Sequence, residues 1–209
     1  MNLDQIAGIA HEPGRQRYSA PIGTVVLTHG AGGSRESPLL IKTCDRWAAR
    51  GWLAVRYNLP YRRRRPKGPP SGSAATDQAG VVEAIELART LTKGPVIAGG
   101  HSYGGRMTSM VVADETAAVD MLTPFSYPLH PPGKPERART DHLPRITVPT
   151  VFTHGTADPF GSIDELRQAA ALIPAPTEIF EVTGARHDLG SKTLDVPVLA
   201  VDAALRLLA

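Results

Sequence analysis

The stretch Gly99-Gly100-His101-Ser102-Tyr103-Gly104-Gly105 decides how this chain is read. It follows a short apolar run, Pro95-Val96-Ile97-Ala98, and leads into Arg106-Met107-Thr108-Ser109-Met110-Val111-Val112. Residues 100–104 therefore spell G-x-S-x-G where a strand is expected to turn sharply into a helix. In that context the pattern describes a nucleophile elbow, which holds a serine in a strained conformation with φ > 0 and exposes its hydroxyl. Residues two before and two after the serine must be small, because strand and helix nearly collide. Composition alone produces such a pentapeptide roughly once in every ten chains of this length. Its meaning therefore depends on whether a base, an acid and a loop of backbone N–H donors surround it.

Working outward, apolar β-rich runs alternate with amphipathic ones. Strands are expected at Thr24–Thr28, Trp52–Tyr57, Pro95–Ala98, Ala118–Thr123, Thr150–Thr153 and Glu178–Val182. Helices are expected from Pro38 to Arg50, from Thr76 to Leu91, after the elbow, from Ser162, and from Thr193 onward. Asp164 and Glu165 fall in the first turn of the helix opened by Ser162, where the helix dipole favours negative charge. This alternation predicts an α/β fold with a mostly parallel sheet and helices on both faces, and sites in such sheets form beyond the carboxyl ends of the strands. Two long interruptions, Leu59–Ala75 and Phe125–Thr147, follow strands and are rich in Pro or Arg. Long loops in compact domains are more often functional than idle, so both are expected to rim the site.

The loops beyond the strands supply the missing partners. The fifth expected strand runs into His154-Gly155-Thr156-Ala157-Asp158-Pro159, and the sixth into Thr183-Gly184-Ala185-Arg186-His187-Asp188. A serine hydroxyl is a poor nucleophile near neutrality and needs a base within hydrogen-bond reach. His187 is the candidate base, and a carboxylate from Asp158 would fix its tautomer and stabilise the imidazolium. Asp188 adjoins His187, but adjacent side chains diverge, which makes it a poor acid for that role. Asp114 and Asp120 read as structural. Thr28-His29-Gly30-Ala31-Gly32-Gly33-Ser34 follows the first clear strand and can turn backbone N–H groups into the site. The candidate oxyanion donors are the N–H of Tyr103 and that of Ala31, with Gly32 as the alternative to Ala31. Two such donors, fixed where charge develops, lower a barrier by several kcal/mol. Of the seven histidines, His29 is expected to order the Gly-rich loop, and His101 and His154 to be structural neighbours of the site.

Composition bounds the rest. The 209 residues suit a single domain spanning 1–209, and 42% hydrophobic with 21% charged residues is ordinary for a globular chain. Cys44 is the sole cysteine, which excludes an intrachain disulfide, and its helical surroundings suggest a buried core thiol. The first residues lack a basic and then apolar leader, and no apolar run approaches the ~20 residues that span a bilayer. A cytoplasmic location with no membrane partner is the expectation. The net charge of +3 owes much to Arg62-Arg63-Arg64-Arg65-Pro66-Lys67. That run could serve an anionic partner, but only Tyr61 supplies an aromatic beside it and no nucleic-acid motif accompanies it. It reads as a solvated loop, and no nucleic-acid partner is expected.

The motifs together resemble the α/β-hydrolase superfamily, over nearly all of the chain from Thr24. Within it, the chain is similar to the small dienelactone-hydrolase-related branch, which includes the hydrolase-like domains of a testis-expressed protein and of a chromatin acetyltransferase-complex subunit. The segments carrying this are residues 28–33, the elbow with Gly105-Arg106, Phe125-Ser126-Tyr127-Pro128-Leu129-His130-Pro131-Pro132-Gly133-Lys134-Pro135, and His154-Gly155-Thr156-Ala157-Asp158-Pro159-Phe160-Gly161. Dienelactone hydrolases proper use a cysteine where this chain has Ser102, so their substrate does not carry over. The resemblance implies an α/β-hydrolase fold without a separate lid domain. It further implies a serine hydrolase acting on a small carboxylic ester or thioester, needing no metal or cofactor. A hydrolase-like interaction module is the alternative, because some members of the branch are regarded as scaffolds. His130 and Lys134 are candidates either for meeting a substrate or for ordering their loop.

Overall fold

The computed structural model describes residues 2–14 and 16–209. Among them, seven strands form one sheet: β1 (Ile9–His11), β2 (Thr24–Thr28), β3 (Leu53–Tyr57), β4 (Val96–His101), β5 (Met121–Phe125), β6 (Thr150–Gly155) and β7 (Thr177–Val182). Their order across the sheet is β1-β3-β2-β4-β5-β6-β7. β1 pairs antiparallel with β3, and every other pairing is parallel. The helices are α1 (Pro38–Ala49), α2 (Pro60–Arg64), α3 (Ala74–Leu91), α4 (Tyr103–Ala113), α5 (Ile163–Ala170) and α6 (Val196–Leu208).

Strands β2 to β6 are buried almost along their whole length because the sheet is covered on both faces, whereas the edge strands β1 and β7 are only partly buried. Side chains alternate between the faces with the strand period of two. Val26, Val55, Ala98 and Leu122 pack with Val81 and Ile85 of α3, Met107 and Val111 of α4, and Leu166 of α5. Val25, Leu27, Ala54, Ile97 and Met121 face the other way, towards Leu40, Cys44 and Trp47 of α1 and Ala200, Val201 and Ala204 of α6. Cys44 is buried there, and burial pushes its thiol pKa far up, which suits a core residue rather than a reactive one. Trp47 and Trp52 meet edge to face at 5.3 Å between centroids. A buried indole contributes about 4–6 kcal/mol by area, an upper bound.

Helix ends follow their residues. Ser162 caps α5 in a reciprocal capping box with Glu165, a device that contributes about 1 kcal/mol. The last helix starts at Val196 rather than Thr193, because the Asp195 side chain accepts from the Val198 N–H and sets the cap. The fourth expected strand is displaced: β5 begins at Met121 and continues through Pro124 to Phe125. Ala118 lies outside it, its carbonyl taken by the Arg89 guanidinium. The Asp120 carboxylate accepts from the Val96 N–H and pairs with Arg89, a structural role in keeping with the expectation.

No separate lid domain stands over the sheet among the described residues, and no helix there is long and apolar enough to cross a membrane. The carboxyl ends of β2, β4, β6 and β7 open onto one edge of the sheet, and the loops that leave them build the site.

Candidate active site

β4 ends at His101 and α4 begins at Tyr103, so Ser102 alone makes the turn. Its backbone sits at φ 50°, ψ −115°, a conformation that costs a non-glycine residue about 1–3 kcal/mol. Two hydrogen bonds hold it there. The Ser102 N–H donates to the Phe125 carbonyl at 2.8 Å, and its own carbonyl accepts from the Arg106 N–H at 2.9 Å. The steric demand on the elbow is met as expected. A Cβ at Gly100 would lie 2.5 Å from the Thr28 carbonyl oxygen, and one at Gly104 2.5 Å from that of His29. Both contacts are with backbone, which can shift only at a cost, so glycine is favoured at either position.

The structure brings Ser102, His187 and Asp158 together. His187, five residues beyond β7, places Nε2 2.8 Å from Ser102 Oγ. Its Nδ1 lies 2.8 Å and 3.0 Å from the two oxygens of Asp158, three residues beyond β6. Asp158 is buried and also accepts from the Phe160 N–H at 2.9 Å. Burial alone would raise its pKa. The hydrogen bonds from His187 and Phe160, with the nearby imidazoles, outweigh burial and hold the carboxyl below its ordinary value. Ser102 is 8% exposed, and the His187 side chain 23%, so this chain of contacts touches solvent at its serine end.

Two further residues fix the His187 ring and backbone. His101 Nε2 lies 2.7 Å from the His187 carbonyl and donates to it. The Phe160 ring lies against the imidazole at 4.2 Å between centroids, 32° from parallel. Sequence reasoning did not single out Phe160 beyond quoting its segment; its position two residues after the acid was the available signal. His154, in β6, donates from Nε2 to the Gly161 carbonyl. Burial depresses its pKa, so it is neutral near pH 7 and its 3.8 Å approach to Asp158 is not an ion pair. Asp188 bonds the Gly190 N–H of its own loop and takes no part in the contacts of His187 Nδ1.

The Gly-rich loop after β2 lies beside the serine: a Cβ built on Gly30 would be 3.3 Å from Ser102 Cβ. Among the described residues, the N–H groups of Ala31, Gly32 and Tyr103 find no intramolecular acceptor. Tyr103 opens α4, where the first N–H groups of a helix are necessarily unpaired. His29 orders this loop as expected. The Leu59 N–H donates to its Nε2, so the proton sits on Nδ1 and is donated to the Gly30 carbonyl at 2.9 Å. Burial lowers its pKa to about 4 and keeps the ring neutral.

The two long interruptions both reach the site. The loop after β5 carries His130, whose N–H donates to the Phe160 carbonyl and so supports the ring on His187. The His130 imidazole itself is buried between the Pro131 carbonyl and Glu165, which orders the loop. The loop after β3 corrects an expectation. The basic run begins inside α2, and Arg62 is not solvated: it is 4% exposed, with its guanidinium directed at backbone carbonyls. Arg64, Arg65 and Lys67 are exposed. Among the described residues no group of three His, Cys, Asp or Glu side chains is arranged to hold a metal ion.

A serine at positive φ, starting a helix beyond the central strand of a doubly covered parallel sheet, is the arrangement of hydrolases built on this architecture. The chain belongs to the alpha/beta hydrolase family, whose domain profile matches residues 21–195. Solved structures share the fold at low identity. Est1E from Butyrivibrio proteoclasticus, determined with ferulic acid bound, is 14% identical with a TM-score of 0.78, covering 96% of this chain and 94% of that one. An alpha-beta serine hydrolase homologue from Coxiella burnetii is 15% identical with a TM-score of 0.75, covering 94% and 90%. A dienelactone hydrolase from Anabaena variabilis is 20% identical with a TM-score of 0.71, covering 95% and 88%.

Proposed function

We propose that this chain is a serine hydrolase of the carboxylesterase or thioesterase type, cleaving a small ester or thioester through an acyl-enzyme. The observation that carries the proposal is the unbroken run of hydrogen bonds from Ser102 Oγ through both nitrogens of His187 to the buried Asp158 carboxylate. Ser102 attacks the carbonyl carbon as its proton passes to His187 Nε2. Asp158 holds the imidazole in the tautomer that leaves Nε2 free to accept, and stabilises the imidazolium. The N–H groups of Ala31 and Tyr103 receive the developing oxyanion. Collapse of the tetrahedral intermediate expels the alcohol or thiol, which takes the proton from His187. Water, activated by the same imidazole, then releases the acid and regenerates Ser102. None of these steps calls on a metal or cofactor.

Several features are consistent with this assignment. Ferulic acid, the ligand of Est1E, is a carboxylic acid, the product type of ester cleavage. In this reading the chain works as one domain over residues 1–209, in the cytoplasm, on a small-molecule substrate. On the same reading it falls, within the family, in the dienelactone-hydrolase-related branch of the testis-expressed type, and the Pro128–Pro135 segment is what supports this. The test is labelling by a fluorophosphonate probe together with turnover of short p-nitrophenyl esters. Wild-type protein should show both and Ser102→Ala neither. Absence of both from folded wild-type protein, with a stable protein partner recovered equally well by Ser102→Ala, would point instead to an interaction module.

A further inference from the structure

We infer that Arg62 and Tyr61 are positioning residues, forming a clamp that sets the direction of the oxyanion-binding N–H groups from outside the site. The inference rests on the hydrolase assignment above and extends it to residues that never touch substrate.

Arg62 is a buried guanidinium that no carboxylate pairs with among the described residues. Its donors go to four carbonyls instead: Nε to Gly33 at 2.7 Å, Nη1 to Arg65 at 3.1 Å, and Nη2 to Gly68 at 2.8 Å and Ala31 at 3.2 Å. A buried charge is costly unless every donor is satisfied, and here the loop backbone supplies the acceptors. Tyr61 adds its hydroxyl, shared between the Ala31 carbonyl at 2.8 Å and the Gly30 carbonyl at 3.1 Å. Burial raises the phenol's pKa, so it remains a donor. The guanidinium also lies over the Tyr61 ring at 5.0 Å.

Peptide planarity turns these contacts into control of the opposite side. In a trans peptide the N–H points away from the C=O of the same unit. The unit that carries the Ala31 N–H is the one whose carbonyl belongs to Gly30. That oxygen accepts from His29 Nδ1, from Tyr61 and from the Gly33 N–H. The next unit carries the Gly32 N–H, and its carbonyl, that of Ala31, accepts from Tyr61 and Arg62. Both candidate donors thus have their direction fixed by hydrogen bonds on the far side of the same plane. Donors on a carbonyl also polarise the N–H of the same peptide unit.

The fork geometry distinguishes this from a simple charge effect. A lysine ammonium is a compact point charge and cannot reach carbonyls spread from Ala31 to Gly68. Arg62→Met and Arg62→Lys should therefore behave alike. In both, exchange of the Gly33 amide, whose N–H is bonded to the Gly30 carbonyl inside the clamped loop, should rise at least tenfold. kcat on a short p-nitrophenyl ester should fall about 10–100-fold, as expected for a misplaced catalytic donor, with KM within about threefold of wild type. The limiting pKa of the pH–rate profile should stay put, because the His187–Asp158 pair is untouched; general damage to the site would move it. Tyr61→Phe removes one hydroxyl with little threat to folding, and should give the same pattern at smaller amplitude, deciding the matter if the Arg62 variants do not fold.

Unchanged exchange at Gly33 would overturn the clamp, as would raised exchange with unchanged kcat, or full activity in Arg62→Lys. If wild-type protein turns over no ester, the hydrolase assignment fails, and the exchange measurement alone still decides whether the loop is clamped.

Discussion

On the β6–β7 side of Ser102 the contacts run between side chains: serine to imidazole, imidazole to carboxylate, phenyl ring to imidazole. On the β2 side they run from side chains to backbone, with His29, Tyr61 and Arg62 all ending on carbonyls of residues 30–33. The difference teaches where each half can be damaged. The first half fails when one functional group is removed. On the proposed mechanism the second presents only N–H groups to the substrate, so it should fail when its scaffold is loosened, and the residues that hold that scaffold lie behind it.

The side-chain half should break most sharply. His187→Ala should reduce kcat by about a million-fold, the scale seen when a serine hydrolase loses its general base. Measured esterase activity within a hundredfold of wild type would remove His187 from that role. Asp158→Asn keeps the shape but allows the wrong imidazole tautomer, and should reduce kcat by about 10⁴-fold. A pH series under saturating substrate, compared with wild type, checks that the loss is one of tautomer and not of folding.

Stability exposes two buried imidazoles: His29 in the backbone half, and His142 in the loop after β5, whose Nε2 lies 2.8 Å from Ser109 Oγ on α4. His29 and His142 both have pKa values lowered from 6.5 to about 4, chiefly by burial. Above pH 6.5 neither the folded nor the unfolded chain protonates them, and nothing is lost. Between pH 6.5 and about 4 the unfolded chain takes up a proton that the folded chain refuses, so stability falls as pH falls. The loss approaches about 3 kcal/mol for each group across that window. Urea midpoints between pH 7 and 4 should therefore drop steeply in wild type and less so in His142→Asn. Equal slopes would show that these imidazoles do not set the acid limit. Asp158 adds in the same direction lower down: its depressed pKa contributes stability above about pH 4 that is lost as pH falls through the folded value.

The junction of the two halves gives the smallest expected effect. Gly104→Ala would drive a methyl group against the His29 carbonyl. Overpacking of this kind costs about 1–3 kcal/mol, readable as a lowered denaturation midpoint. An unchanged midpoint would mean that elbow and loop can separate without cost.

The same contrast explains what the sequence made legible. Strands buried on both faces announce themselves as apolar runs, and Ser102, His187 and Asp158 stand in loops directly after such runs. Their functional groups are side chains, and side chains are what a sequence spells out. β1 is three residues long and gains its structure only by pairing with the edge of β3. The strand expected at Ala118–Thr123 stops before Pro124, since a proline with no N–H to offer a neighbour ordinarily argues against a central strand, whereas β5 runs through it to Phe125. Four consecutive arginines read as solvent-facing charge, yet Arg62 is buried. Nothing local distinguishes the one whose acceptors are carbonyls from a different segment of the chain. The Phe160 ring on His187 is likewise a tertiary contact, fixed by the His130 N–H from the loop after β5.

Asp77, on α3, is buried and has its two oxygens engaged by different partners: the Tyr61 N–H at 3.1 Å and the Tyr103 hydroxyl at 2.8 Å. Tyr103 bears one of the proposed oxyanion donors, and Tyr61 steadies the peptide bearing the other. One buried carboxylate therefore ties the residue that carries one proposed donor to the residue that steadies the other, and the spacing between the two is set in part by a side chain on a helix that neither belongs to.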